Sequence, residues 1–501
     1  MKSYIVLKYL FCGFILCAGS WSCQENAEEP RPNILLIVSE DNSQDLGCYG
    51  NSIVHTPNLD SLAQNGIRFL NAYTTYSVCS PSRSSIFTGL YPHQNGQIGW
   101  ATHHYSMYEG IKVLPQYLEN SGYKTGVIGK IHVNPENLFN FDLQAIPGSN
   151  FQKKDLPLYG QTAKDFIDQS KSEGNPYFLM VNFPDAHLPF QNEVEGLPTT
   201  KVNASQIDSS LPFVGAYGPG LKTATEAYYN CMNRLDESIG MLLDSIGDLS
   251  NTCIIYLSDH GAQFSRGKMT NYEGGIKIPF IIHWPGRINK PQIKEELISV
   301  IDLLPTIIEI TETPVPEHLP GKSLISLFNQ DQNPQDWREY LFAEGEGSSP
   351  VQYFPMRSVR NKNFKLILNI DVGRKISPAY QYYIEPEQIH GTNEEDLKAS
   401  TPMVQNAYNV WKSPPQWELY NLQEDAWEFE NLADDPSYDD ILKELQNAMQ
   451  KWREQTNDPF LDPIKLNQFT AEMDSINQLY PDYTYRTIEN FKWKYHDYLN
   501  Q

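Results

Sequence analysis

The sequence predicts an α/β protein built on a doubly wound, mostly parallel sheet, with a smaller α+β C-terminal subdomain containing an antiparallel sheet. Three observations lead there. Four short apolar runs rich in β-branched residues, at 33–38, 125–129, 177–181 and 253–257, have the unbroken hydrophobicity of strands covered on both faces. Helical patterns lie between them, as at 114–121 and 226–246, and alternating strands and helices imply parallel strands joined by crossovers. Near residue 335 the texture changes: 354–368 reads as antiparallel strand material and 442–456 as one amphipathic helix.

At 501 residues the chain has room for a two-part architecture. The segments are a leader over 1–23, a catalytic domain over 24–335, and a C-terminal subdomain and tail over 336–501. The turn-rich stretch 371–413 reads as a long loop shaping a cleft, and the residues after Asp458 read as a weakly patterned tail on the surface. The leader has Lys2 and Lys8 beside an apolar stretch over 9–18, too short for a comfortable membrane span. It ends in Gly19-Ser20-Trp21-Ser22-Cys23 and then turns polar. This reads as a bacterial lipoprotein signal with Cys23 as the acylated residue, although Trp21 departs from the usual small-residue box; simple cleavage is the alternative. The expectation is an exported protein, periplasmic or anchored to the outer membrane, touching membrane only through lipid.

Composition is that of an ordinary globular protein, 40% hydrophobic and 20% charged. The 30 Tyr, 22 Phe and 9 Trp suit the lining of a carbohydrate-binding cleft or simply a large packed core. A formal charge of -23 excludes nucleic acid as a partner, because phosphate backbones need a basic footprint. The same charge means that an anionic substrate needs a local cationic cluster. Of seven cysteines, Cys12, Cys17 and Cys23 fall in the leader, and Cys48, Cys79, Cys231 and Cys253 have no metal-binding spacing. Cys231 and Cys253 fit as buried hydrophobes.

Ligands of an open α/β sheet bind at the carboxyl ends of its strands. The four apolar runs are followed by Glu40 and Asp41, by Lys130 and His132, by Asp185 and His187, and by Asp259 and His260. Glu40, Asp41, Asp259 and His260, three carboxylates and an imidazole, suit a hard divalent cation, calcium or magnesium, better than zinc. In Cys79-Ser80-Pro81-Ser82-Arg83, Ser80 has the chemistry of an N-cap and Pro81 that of a first helical residue. That places Cys79 at the positive end of a helix, with Arg83 one turn on.

Cys79-x-Pro81-x-Arg83, continuing through Ser84-Ser85-Ile86-Phe87-Thr88-Gly89, resembles the signature of the type I, Cys-type sulfatases of the alkaline-phosphatase-like superfamily. The run from Gly122-Tyr123-Lys124 to Gly129-Lys130-x-His132 is similar to the family's second signature. Asp185-Ala186-His187, Ser258-Asp259-His260-Gly261, Lys268-Met269-Thr270-Asn271, Glu418-Leu419-Tyr420-Asn421 and Asn431-Leu432-Ala433 extend the resemblance over nearly the whole mature chain. The Glu40-Asp41 variant and the segment 417–436 look most like the branch that contains the heparan N-sulfatases.

The resemblance implies that a sulfatase-maturing enzyme oxidises Cys79 to formylglycine. One calcium ion would be held by Glu40, Asp41, Asp259, His260 and the modified Cys79, with Glu40 standing where an aspartate is usual. One hydroxyl of the hydrated aldehyde attacks sulfur, and loss of a proton from the second lets sulfate leave. Arg83, Lys130 and Lys268 would supply fixed positive charge, His132 would take the proton from the hydrated aldehyde, and His187, with Lys268, would protonate the leaving group. The implied substrate is a sulfated carbohydrate, a glycosaminoglycan or another sulfated polysaccharide fragment, cleaved at an O- or N-sulfate. Arg374, Lys375 and His390 are candidates to face it. Rival readings are a phosphomonoesterase or phosphonate hydrolase of the same superfamily and a noncatalytic glycan-binding protein.

Overall fold

The computed structural model describes residues 30–119, 121–148, 156–288, 290–328, 336–371, 373–374, 376–384 and 392–500. All four apolar runs are strands, side by side in an eight-stranded sheet. In chain order its strands are β1 (Asn33–Ser39), β2 (Ile67–Phe69), β3 (Lys124–Ile128), β4 (Leu143–Ala145), β5 (Tyr177–Asn182), β6 (Thr252–Ser258), β7 (Phe280–His283) and β8 (Gln292–Lys294). Across the sheet the order is β8-β2-β7-β6-β1-β5-β3-β4. β1 runs parallel to both neighbours, with Ile34 opposite Phe178 of β5 and Cys253 of β6. β7 is the antiparallel strand between β2 and β6.

The reason β1 is apolar from Ile34 to Val38 is visible in its packing. Leu35 and Ile37 belong to the core on one face, with Phe166 and Ile167 of the helix Leu156–Ser172 and with Leu235 and Ile239 of the helix Pro219–Ile246. Ile34, Leu36 and Val38 belong to the core on the other, with Ile86, Phe87, Leu304 and Ile307. A strand buried on both sides has no polar face to show. The long helix starts earlier than its periodicity predicts, because Gly218 and Pro219 open it.

The C-terminal part carries a four-stranded antiparallel sheet, Leu341–Gly345, Met356–Arg360, Phe364–Asn369 and Trp417–Asn421. The material over 354–368 resolves into a hairpin, in which the Asn361 side chain accepts from the amides of Asn363 and Phe364. Leu445 and Met449 of the helix Asp439–Gln455 pack on Val359, Leu366 and Leu419.

Two expectations are corrected. The stretch 371–413 is not a long loop: its described residues include helices Pro378–Ile384, Glu394–Ala399 and Pro402–Lys412. The last of these is capped by Thr401, and Val404, Ala407, Tyr408 and Trp411 line its buried face. The chain after Asp458 runs over the surface as expected, but it is not without structure. Its helix Pro463–Leu479, capped by Asp462, and the residues beyond it bury Phe469, Met473, Tyr485, Trp493 and Tyr495 against Ile98, Tyr105 and Tyr108. Aromatic spacing outside a regular element leaves no periodic signal, so only packing reveals this cluster.

Cys231 and Cys253 are buried, as expected. Residues 1–23, including Cys23, lie outside the described residues, as do Lys375 and His390. Among the described residues no helix is long and apolar enough to cross a membrane.

Candidate active site

Four strand ends and one helix start converge at the carboxyl edge of the sheet. The main chain ties them together: Glu40 N donates to Asp185 O at 3.0 Å, and Asp259 N donates to Ser39 O at 3.0 Å. Asp41 takes a left-handed φ of 52°, a conformation that costs free energy in a non-glycine residue and is held here by its surroundings. Its amide donates to Asp259 Oδ1 at 3.1 Å.

The helix that presents Cys79 spans Cys79–Thr88, and Val78 is its N-cap. Ser80 is therefore not the cap. Its hydroxyl accepts instead from the amide of Ala101 at 2.9 Å, because every residue of this helix is buried and its polar side chains are satisfied by neighbouring segments. Cys79 remains in the first turn, at the positive end.

Arg83 is fully buried and does not reach for open space. Its Nε donates to Asp259 Oδ2 at 3.1 Å, Nη2 to Glu40 Oε1 at 3.1 Å, and Nη1 to Asn182 Oδ1 at 2.7 Å and Lys130 O at 3.1 Å. Lys130 Nζ takes the second Glu40 oxygen at 3.0 Å. Lys268 Nζ lies 2.6 Å from Asp41 Oδ2 and 3.6 Å from Cys79 Sγ. His260 Nε2 approaches Asp41 Oδ1 at 3.1 Å and Cys79 Sγ at 3.3 Å. His187 Nε2 is 4.0 Å from Asp41 Oδ2. Of the ten residues assigned from sequence to catalysis or metal binding, the nine other than His132 are thus linked directly in one network. Among the described residues neither buried ring nitrogen of His132 makes a geometric hydrogen bond, although the Cys79 side chain is near enough to act on its proton. Asp185 is engaged elsewhere, in a buried bidentate pair with Arg234 at 2.8 and 2.9 Å.

The electrostatics are those of an anion site. Burial pushes the Cys79 thiol up, but Lys130, Lys268 and His260 outweigh it and hold the thiol well below its ordinary value. Burial likewise opposes ionisation of Asp41, and Lys268 with the two histidines pulls it below the usual carboxylate range. His260 is lowered by burial and raised more by Asp259 and Asp41, to about 10. His132 moves the other way, to about 4, from burial and the nearby Lys130 charge.

The residues also divide by position. Cys79, Lys130, His132, His187 and Lys268 line a cavity of about 600 Å³. Glu40, Asp41, Asp259 and His260 are buried and are not among its lining residues. Sequence reading passed over Asn182, which anchors Arg83, and the cavity residues Trp100, Gln263, Tyr382 and Arg486. Arg374, named as a substrate-facing candidate, is not at the cavity; it pairs with Asp371 and Asp474 at 3.3 and 2.8 Å and lies over the Tyr353 ring.

The donor set fits a hard divalent cation. One donor atom each from Asp41, Cys79, Asp259 and His260 lies within 4.8 Å of the others, and Glu40, Asp41, Cys79 and His187 form a second such group. Each carboxylate has lone pairs beyond those its cationic partners occupy, so each group offers two hard oxygen donors beside the Cys79 sulfur and one histidine nitrogen.

The family model for sulfatases matches residues 32–313, and the model for the C-terminal part of N-sulphoglucosamine sulphohydrolase matches residues 261–399. The chain is 30% identical to human N-sulphoglucosamine sulphohydrolase over 463 residues, covering 86% of this chain and 91% of that one. It is 28% identical to an ulvan-active sulfatase of Formosa agariphila, covering 93% and 90% of the two chains. Among solved structures, a protein in complex with its substrate D-glucosamine-2-N,6-O-disulfate superposes with a TM-score of 0.63 at 20% identity, over 85% of this chain and 98% of that one. A phosphonate monoester hydrolase from Silicibacter pomeroyi shares the fold as well, at a TM-score of 0.62 and 19% identity, over 85% and 96%. The fold alone therefore does not separate the two chemistries, but the matched sequence does: the chain belongs to the sulfatase family, sulfuric ester hydrolases of the alkaline-phosphatase-like fold.

Proposed function

We propose that this protein hydrolyses sulfate esters or N-sulfates of carbohydrate, with formylglycine made from Cys79 as its nucleophile and one calcium ion in the carboxylate set. The observation that carries the reading is the place of Cys79: first turn of a buried helix, flanked by Lys268 and His260, on the wall of the cavity. A thiol offers a single nucleophilic atom. The hydrated aldehyde supplies two hydroxyls, one to attack sulfur and one to let sulfate go, and a divalent cation offsets negative charge at that point.

This chain's own side chains do the rest. Lys130 and Lys268 supply positive charge toward the sulfate oxygens. Arg83 is a positioning residue that holds the Glu40 and Asp259 carboxylates. His132, kept neutral above about pH 4 and without a competing partner, accepts the proton from the hydroxyl at position 79. His187, partly exposed beside Asp41, donates to the departing oxygen or nitrogen. The similarity to N-sulphoglucosamine sulphohydrolase, including the match to its C-terminal model, supports an N-sulfated amino sugar as the first substrate to try. We further propose that the leader exports the chain and that Cys23 is lipidated, which Cys23→Ala would test by releasing the protein from the membrane fraction.

The deciding experiment is co-production with a sulfatase-maturing enzyme, followed by the mass of the peptide containing residue 79 and sulfate release from glucosamine N-sulfate. The expected result is aldehyde oxygen in place of sulfur and turnover that Cys79→Ala abolishes. An intact thiol, under conditions that convert a control sulfatase, overturns the formylglycine reading.

A further inference from the structure

From the weakly patterned chain after Asp458, one side chain, Arg486, reaches the cavity that Cys79 lines. The short 3-10 turn Thr484–Thr487 lies against the turn Ala101–His103, and the two are stitched at several points. The Tyr485 hydroxyl and His103 Nδ1 are hydrogen-bonded. His104 Nε2 approaches the Arg486 carbonyl at 3.0 Å, and the Trp493 indole donates to His103 O at 2.9 Å. This fixes the backbone of Arg486 while its side chain lines the same cavity as Cys79, Lys130 and Lys268.

Arg486 differs from the other cations of that cavity. Lys130 and Lys268 are each bound to a buried carboxylate, Glu40 and Asp41. Arg486 donates through Nε to Thr102 O at 3.2 Å, and its terminal nitrogens hold no partner among the described residues. Arg486 is exposed on the solvent side and lines the cavity on the other, so in a chain of net charge -23 its unpaired fork can take an anion that enters there. Glu136, the carboxylate on the same cavity wall, does not pair with it. His103 beside it is held neutral, its value lowered to about 3 by burial and by the Arg486 charge. The guanidinium is thus the fixed charge of this wall.

We propose that Arg486 is a specificity-determining residue that binds a second anionic substituent of the substrate, a sulfate or a carboxylate other than the sulfate being removed. The proposal rests on the reading of the cavity as a carbohydrate sulfatase site. Its planar fork suits either anion bidentately, and Trp100 and Tyr382, which line the same cavity, offer apolar surface for a sugar ring.

The test compares three probes: glucosamine N-sulfate, glucosamine N,6-disulfate, and a disaccharide joining a uronate to glucosamine N-sulfate. In the matured enzyme, Arg486→Ala and Arg486→Gln should lower kcat/KM by about tenfold to a hundredfold, chiefly through KM, for at least one doubly anionic probe. The singly sulfated probe should change less than about twofold under the same loss of one contact. Arg486→Lys should recover part of the loss, and which probe responds identifies the anion. Equal loss on all three probes, or no loss on any, overturns the proposal while leaving the sulfatase reading intact. Binding of the same probes to the Cys79→Ala protein, measured by calorimetry, separates the two failures. If the wild type hydrolyses none, Arg486-dependent binding there sustains the anion site, and its absence ends it.

Discussion

Lys268 Nζ and Asp41 Oδ2 stand 2.6 Å apart in a buried pair, and the same ammonium lies 3.6 Å from Cys79 Sγ. One cation therefore serves both the carboxylate set and the reacting position. Lys268→Met is expected to lower kcat/KM by about a hundredfold to a thousandfold, the range for losing one preorganised donor at a developing negative charge. Steady-state kinetics of the matured enzyme decide it; a change below about tenfold contradicts the role.

Arg83 makes four hydrogen bonds to Glu40, Asp259, Asn182 and Lys130 O with no exposed surface. Lysine has a single charged nitrogen and lacks the fork that reaches all four. Arg83→Lys keeps the charge but leaves buried acceptors unpaired, so it should destabilise the fold by about 1–3 kcal/mol. Urea unfolding reads this as a lower midpoint, and an unchanged midpoint would falsify the assignment of Arg83 to positioning.

Calcium should stabilise the folded state, because an ion bound only by the native protein adds about 2.7 kcal/mol at a hundred times its Kd. Thermal unfolding with calcium and with a chelator measures this without reference to turnover. The gain should vanish in Asp259→Asn, whose residue belongs to the compact donor group with Asp41, Cys79 and His260. An equal calcium shift in that variant, or none in the wild type, counts against the site.

Far from the cavity, Asp458 accepts from Arg357 at 2.8 and 2.9 Å and from Arg453 at 2.6 Å. Burial raises its carboxyl, but the Arg357 charge prevails and holds it below the usual range. A depressed folded value contributes stability that is fully present above the unfolded value near 3.9 and is lost as pH falls toward the folded one. Asp458→Asn should thus cost about 3–5 kcal/mol at pH 7, and the gap to wild type should narrow below about pH 4. A gap independent of pH across that window would show that the charge is not what Asp458 contributes.

Trp493 stacks on Tyr105 with ring centroids 4.5 Å apart and donates to His103 O. Trp493→Ala should cost about 3–5 kcal/mol as a buried aromatic truncation. Trp493→Phe, which keeps most of the apolar area and loses the hydrogen bond, should cost about 1 kcal/mol. Similar effects of the two substitutions would mean that the indole N–H, and not the packing, dominates.

The sequence alone determined the centre of this protein. Unbroken apolar runs such as 33–38 are only tolerated in strands covered on both faces, so β1, β3, β5 and β6 and the polar residues at their ends are legible. Ser80 misled because an N-cap preference is a local bias of about 1 kcal/mol, and in this buried helix the hydroxyl is taken by Ala101. Helix Pro402–Lys412 had its cap and its apolar face in the sequence, and the turn-rich residues before it obscured both.

Tertiary structure decided what no local pattern encodes. Arg83 follows Cys79 by one helical turn, yet it grips Glu40 and Asp259, which are 43 and 176 residues away along the chain. Arg486 sits in a segment without periodicity and reaches the cavity because scattered aromatics pack it onto Tyr105 and His103. Strand identity follows from the burial of neighbours in sequence, whereas the composition of a cavity wall follows from long-range packing, which periodicity does not record.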